Sequence, residues 1–163
     1  MRRSRALGAA VVGGILVGFG LWRGRLRRFE VTEDSMSPAL ENGDYLLATR
    51  LDSAPLRGDV VVLPAPGSPD FLMVKRVIGL PGESASIDHG QVIVNGHVLA
   101  EPWAKGALAG SHEWQVGPSE VIVLSDNRLA STVDSRQLGP VPLKDLWRVE
   151  VRYWPANRIG QVR

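Results

Sequence analysis

The dipeptide Asn95-Gly96 stands between two apolar runs, Gln91-Val92-Ile93-Val94 and His97-Val98-Leu99. A type I′ turn needs positive φ at both central residues, which asparagine and glycine tolerate best, so the segment predicts a tight β-hairpin. The chain after Phe29 is punctuated throughout in the same way. Asn42-Gly43-Asp44, Leu56-Arg57-Gly58-Asp59, Leu80-Pro81-Gly82-Glu83 and Asp88-His89-Gly90 are turn signals. Short apolar runs lie among them: Tyr45 to Ala48, Val60 to Leu63, Phe71 to Ile78, Val121 to Leu124 and Val149 to Trp154. Pro64 to Pro69 and residues 103–112 read as loops, and Leu143 to Leu146 as a helical turn after Pro142. Eighteen glycines and eleven prolines favour turns over a helix bundle. Many short strands without helices between them predict a mainly β fold, antiparallel and partly closed in a barrel-like way.

The first 28 residues have a different character. They hold seven arginines (2, 3, 5, 23, 25, 27 and 28) and no acid, although the whole chain has a net charge of only +2. The remainder is therefore net acidic. Between the arginines, Ala6 to Trp22 (ALGAAVVGGILVGFGLW) carries no charge. As a helix it would span about 26 Å, near the short end for a bilayer core of about 30 Å. A basic end can suit lipid headgroups or nucleic acid, and the apolar run favours the bilayer. Leu21-Trp22-Arg23-Gly24-Arg25 offers no small-residue cleavage site, so a retained anchor is expected rather than a removed leader. The expected organisation is a basic N-terminus at 1–5, a single transmembrane helix at 6–22, a basic juxtamembrane segment at 23–29 and a β-rich domain at 30–163. Leu26 and Phe29 would dip into the lipid surface. Arginines on both sides leave the orientation undecided by charge, with a slight lean toward a cytoplasmic C-terminal domain. The absence of cysteine excludes disulfides and thiolate catalysis.

Three blocks of the β region carry chemistry. The first is Ser35-Met36-Ser37-Pro38. The second runs from Val74-Lys75-Arg76 through Gly82-Glu83 and continues as QVIVNGHVLAEPW. The third is Ser125-Asp126-Asn127-Arg128 through Asp134-Ser135-Arg136 and Gly139-Pro140-Val141. In this order, behind a single apolar span, they resemble the nucleophile, lysine and Gly-Asp-Asn-Arg…Asp-Ser-Arg boxes of the type I signal peptidases. The third block and the Arg152-Tyr153-Trp154-Pro155 after it are also similar to the smaller nickel superoxide dismutase maturation proteases of that superfamily. The resemblance implies a signal-peptidase fold, a Ser/Lys endopeptidase without cofactor or metal, and an N-in, C-out anchor in the cell membrane with the catalytic domain extracytoplasmic. It implies signal peptides or precursors as partners, bound as extended strands, and no nucleic acid; a monomer is expected. The alternatives are a maturation protease dedicated to one client and an inactive module that binds extended peptides. The sequence departs from the boxes at Glu33, where the family has Gly or Ser, at Ser125, where it has glycine, and by one extra residue between Ser131 and Asp134.

A serine hydroxyl needs a base. His89 and His97 sit at turns and His112 in a loop, and no Gly-x-Ser-x-Gly elbow is present. Lys75, forty residues after Ser35 and flanked by Met73, Val74 and Val77, can serve once burial strips its proton. Arg76 should point to the opposite face of the strand. On the resemblance, Ser35 is the nucleophile and Lys75 its base. The residue orienting the amine is Ser131, by its distance from Asp126, or Thr132, by its distance to Asp134. Val31, Met36, Leu40, Met73 and Val74 would line a small pocket for an alanine-like residue. Asp126, Asn127, Arg128, Asp134 and Arg136 read as a structural polar network; their carboxylates are spaced poorly for a metal site. Glu33, if ionised beside the oxyanion, would repel it, so its side chain is expected to turn away.

Overall fold

The computed structural model describes residues 25–162. The anchor expected over 6–22 lies outside the described residues, as do the basic N-terminus and Arg23. Among the described residues no helix is long and apolar enough to cross a membrane.

Eleven strands follow one another: β1 (Leu26–Glu30), β2 (Tyr45–Arg50), β3 (Val60–Ala65), β4 (Ser68–Gly79), β5 (Ser84–Asp88), β6 (Gln91–Val94), β7 (His97–Val98), β8 (His112–Gln115), β9 (Glu120–Leu124), β10 (Val141–Pro142) and β11 (Trp147–Trp154). Among the described residues, one α-helical turn, Ser135–Leu138, is capped by Asp134, whose carboxylate accepts the Arg136 N–H, and 3₁₀ turns form at Leu143–Asp145, after Pro142 as expected, and at Ala156–Arg158. The strands form a seven-stranded sheet in the order β1-β2-β11-β3-β4-β9-β10 and a four-stranded sheet in the order β7-β6-β5-β8. Every ladder between them is antiparallel.

The fold is thus mainly antiparallel β, as expected, but the expected partial closure is not found. Among the described residues β1 and β10 are each paired on one side only. β10 is two residues long and ends in Pro142, which has no N–H to extend a ladder. β1 presents exposed Arg27 and Arg28, charges that discourage edge pairing.

The local turn chemistry acts as the sequence indicates. Asn95 and Gly96 have φ of 50° and 79°, and His89 and Gly90 have 46° and 79°, so both tight hairpins use left-handed pairs. The Pro64–Pro69 loop contracts to the tip Pro66-Gly67, because β3 runs to Ala65 and β4 starts at Ser68. The sheet also begins earlier than expected. Leu26–Glu30 pairs with β2 in full register, and Phe29 is buried among Leu40, Leu46 and Trp147. Phe29 is therefore a core residue rather than a lipid contact; its ring meets Trp147 edge-on at 6.1 Å.

β4 organises the interior. Its first half is exposed and its second half buried. β9 covers it only from Arg76 to Gly79, with a bulge between Val77 and Gly79, so the stretch before Arg76 is paired on the β3 side alone. Gly79 is required at the bulge, since a Cβ there would sit 3.0 Å from Ile122 Cβ. The pleat sends neighbours to opposite faces: Met73 and Val77 join Val61, Leu63, Val121 and Val123 in one apolar cluster, while Ile78 joins Ile122 and Leu124 in another.

Arg76 lies on the second face, fully buried. Its Nη2 and Nε donate to the two carboxylate oxygens of Asp126 at 2.6 and 2.8 Å, and Nη1 donates to Gly58 O at 2.8 Å. The guanidinium lies 4.9 Å from the Trp103 ring. Breaking one side of such a pair strands a charge in the interior. Asp126→Ala should destabilise the protein by about 3–5 kcal/mol, read as a lowered urea midpoint; a change below about 1 kcal/mol would mean that Gly58 and Trp103 suffice to hold the guanidinium.

Candidate active site

Ser35 sits in a compact loop between β1 and β2. Val31 opens it by exchanging backbone hydrogen bonds, its N–H donating to Asp44 O and its carbonyl accepting from the Gly43 N–H, at 2.9 and 2.8 Å. Asp44, 1% exposed, anchors the far end. Its carboxylate accepts the Glu41 N–H at 2.9 Å and faces Arg152 at 3.6 Å and Arg158 at 3.3 Å. Arg152 also donates to Ala39 O at 2.7 Å. Met36 and Leu40 pin the loop into the core. From the other side the Asn127 N–H donates to Ser35 O at 2.9 Å, and Asn127 Nδ2 donates to Asp34 O at 3.3 Å.

Lys75 comes to this loop from β4, opposite Val61 of β3. It is 2% exposed, and its Nζ lies 3.1 Å from Ser35 Oγ, the only side-chain hydrogen bond that the amine makes among the described residues. Burial holds the Lys75 amine below the ordinary lysine range. The carboxylates of Asp134 and Glu33 pull it partly back, Arg136 pushes further down, and Asp126 pulls weakly up. An amine so placed can lose its proton and accept one from the serine hydroxyl. His89 and His97 are exposed and His112 stacks on Trp114 at 5.3 Å, so none stands in for it.

A cavity of about 30 Å³ opens beside the pair, lined by Val31, Met36, Phe71, Met73 and Val74 together with Ser35, Lys75 and Glu33. Four of the five residues expected there are present. Leu40 is not: it is fully buried with Leu46 and Ala48, because it lies on the inner side of the turn that carries Ser35. Phe71, half exposed on the outer part of β4, is an additional wall; its position two residues before Met73, on the same strand face, is the signal that could have found it. Glu33 is exposed but does not turn fully away, since it lines the cavity and acts on Lys75. A larger cleft of about 480 Å³ lies beside Arg57, Trp103 and Arg148, away from Ser35, and contains no nucleophile with a base.

The third sequence block forms a bonded network behind the pair. Asp134, fully buried, accepts from Arg136 Nε and Nη2 at 2.8 Å each and from the Ser125 N–H at 3.0 Å. Its carboxyl is held below the usual range: the Arg136 and backbone hydrogen bonds outweigh a burial effect that acts upward. Arg128 pairs with Glu101. Neither residue expected to orient the amine is bonded to it. Ser131 Oγ accepts the Val133 N–H at 3.2 Å, and Thr132 Oγ accepts from Gln137 at 2.7 Å. Ser125 is not strained, because positive φ outside glycine occurs only at His89 and Asn95 among the described residues.

The family described as signal peptidase, peptidase S26, matches residues 4–154. The chain is 34% identical to a signal peptidase I of Leptolyngbya laminosa, over 81% of this chain and 70% of that protein. It is 36% identical to a signal peptidase I of Bacillus caldolyticus, over 81% of each. Among solved structures, a signal peptidase I from Enterococcus faecalis superposes with a TM-score of 0.52 at 26% identity, over 60% of this chain and 97% of that one.

The buried amine has a consequence for stability. Its folded pKa lies below the unfolded one, so the unfolded chain binds more protons between the two values and Lys75 opposes folding below that window. Lys75→Met should raise the Tm near neutral pH, and the gap from the parent should narrow as pH rises toward the unfolded lysine value of about 10.4. Thermal unfolding in detergent across that pH range measures it; a variant that melts lower than the parent at neutral pH would contradict the burial argument.

Proposed function

The chain belongs to the signal peptidase family, peptidase S26, and from that membership we propose that it is a serine endopeptidase that removes signal peptides from exported precursors with Ser35 as nucleophile and Lys75 as general base. The observation that carries the assignment of residues is the 3.1 Å approach of Lys75 Nζ to Ser35 Oγ in a nearly solvent-free setting. It also disfavours an inactive peptide-binding module, in which a buried lysine without a carboxylate partner would be a liability without a use.

Neutral Lys75 takes the Ser35 proton as Oγ attacks the scissile carbonyl. The Ser35 N–H donates to the oxyanion that forms. The Lys75 ammonium then returns its proton to the leaving amine, giving the acyl-enzyme. Water, deprotonated by Lys75, releases the signal peptide and regenerates Ser35. The precursor binds as an extended strand between the residue 31–33 segment and the half-paired stretch of β4, from Phe71 to Val74. The residue before the scissile bond enters the small cavity, whose size suits alanine-like side chains. Segment 6–22 anchors the chain in the membrane with the catalytic domain outside the cytoplasm. The relatives carry the name signal peptidase I, which supports signal-peptide removal.

Cleavage of an Ala-x-Ala precursor by the full chain in detergent tests the dyad. Ser35→Ala and Lys75→Ala should each lose about a thousandfold or more in kcat, and parental activity in either removes that residue from the mechanism. The acid limb of the parental kcat/KM profile should fall below the ordinary lysine range, with activity rising as pH increases through it, because the neutral amine is the active form. Val74→Phe, which fills the cavity, should lower kcat/KM for that precursor about tenfold or more. An unchanged value would place the recognition pocket elsewhere.

A further inference from the structure

Two carboxylates, Glu30 and Glu33, line the cavity beside Ser35 and Lys75. Glu30 belongs to β1, where it stands across the ladder from Tyr45. Among the described residues Glu33, exposed in the loop two residues before Ser35, makes no hydrogen bond or ion pair. Other acids around the site have cations of their own. Asp44 faces Arg152 and Arg158, Asp126 holds Arg76, and Asp134 holds Arg136. The arginines of β1 turn elsewhere: Arg27 lies over the Phe29 and Trp147 rings and Arg28 over Tyr153. The Lys75 amine senses the Glu33 charge, but it is buried and bonded to Ser35 and does not reach out to pair with it.

The position of Glu33 along the groove gives this charge a direction. The loop before Ser35 and the strand before Lys75 line one cavity, and the contact of Lys75 with Ser35 marks its catalytic end. An extended precursor laid between them has its residues upstream of the scissile bond alongside Glu33 and Met73. Alternate side chains of an extended strand point to opposite sides. In an Ala-x-Ala segment the alanine before the scissile bond enters the cavity, so x points away from it, toward solvent. Val31 and Ser35 are buried, whereas Thr32, Glu33 and Asp34 between them are exposed. The solvent side of the groove is therefore where the Glu33 carboxylate stands.

Resting on the reading of the chain as a Ser35/Lys75 peptidase, we propose that Glu33 is a specificity-determining residue that favours precursors with lysine or arginine at x, the middle residue of Ala-x-Ala. Two effects act in the same direction. A cation at x pairs with the carboxylate across the solvent side of the groove. It also offsets the repulsion that ionised Glu33 exerts on the oxyanion forming at Ser35. With a neutral x that repulsion stays in full, and an acidic x adds a second one. The carboxylate that stands here in place of the family's Gly or Ser thus sorts precursors by charge at a position that the cavity itself does not inspect.

The test uses the full chain in detergent with three precursors that differ only at x: Ala-Lys-Ala, Ala-Gln-Ala and Ala-Glu-Ala. For the parent, kcat/KM should fall in that order by about two- to fivefold at each step in low salt. The spread should shrink toward unity at about 1 M salt. Glu33→Gln should process the three about equally, and Glu33→Lys should prefer Ala-Glu-Ala. Equal kcat/KM on the three precursors in the parent overturns the proposal, and this comparison decides even where a variant folds poorly. A preference for Ala-Lys-Ala that persists in folded Glu33→Gln overturns it as well. Ser35→Ala and Lys75→Ala serve as controls: parental activity in either would bring down the dyad itself. No cleavage of any precursor by the parent would bring down the peptidase reading, and this inference with it.

Discussion

Two adjacent side chains on one strand, Lys75 and Arg76, are both buried cations, and only one of them has a carboxylate bonded to it. The pleat makes this arrangement possible by sending them to opposite faces of the sheet. Arg76 cannot give up its proton, so it requires Asp126, Gly58 O and the Trp103 ring. Lys75 can give up its proton, and its face offers it little else: apolar neighbours, a serine hydroxyl, and carboxylates already bonded to others. The cation bonded to a carboxylate and the amine beside Ser35 are thus separated by a single peptide unit. Asp126 secures the first while fixing the end of β9, beyond which the Asn127 N–H donates to Ser35 O, beside the second.

The site is assembled from three segments far apart in sequence. The loop at 31–44 delivers Ser35, β4 delivers Lys75, and the segment from 125 to 136 closes the back. Each is tied down independently of the reacting atoms. Asp44 with Arg152 and Arg158 holds the loop, the β3 ladder holds β4, and Asp134 with Arg136 holds the third. A hydroxyl and an amine 3.1 Å apart would be displaced by small backbone shifts, so this separate fastening is what makes the spacing reproducible.

What was legible in the sequence is what local chemistry determines. Asn95-Gly96 and His89-Gly90 announce their turns because the φ requirement is met by the two residues themselves. Lys75 among Met73, Val74 and Val77 announces a buried amine because the strand period is known. What was not legible depends on contacts across the chain. Asp126 as the partner of Arg76 lies fifty residues away. Leu40 looks like pocket wall from its spacing to Ser35, but the turn rotates it into the core. β8, His112–Gln115, lacks the apolar alternation of a strand and exists because β5 offers it a ladder. Ser131 and Thr132 follow from counting along the chain, and a count does not show that the extra residue there lies in a loop whose hydroxyls are turned to Val133 and Gln137.

The half-paired length of β4 has a wider meaning. Before Arg76 one side of this strand lacks a neighbour among the described residues, and in the proposed binding mode its backbone groups there are left to an extended chain. A helix or a folded hairpin has already spent its own N–H and C=O groups internally and has nothing to offer such an edge. Selection therefore starts with conformation, before any side chain is inspected. In that mode a passenger domain that has folded is protected even where its surface shows two alanines at the right spacing, and only a segment that is still unstructured can complete the sheet.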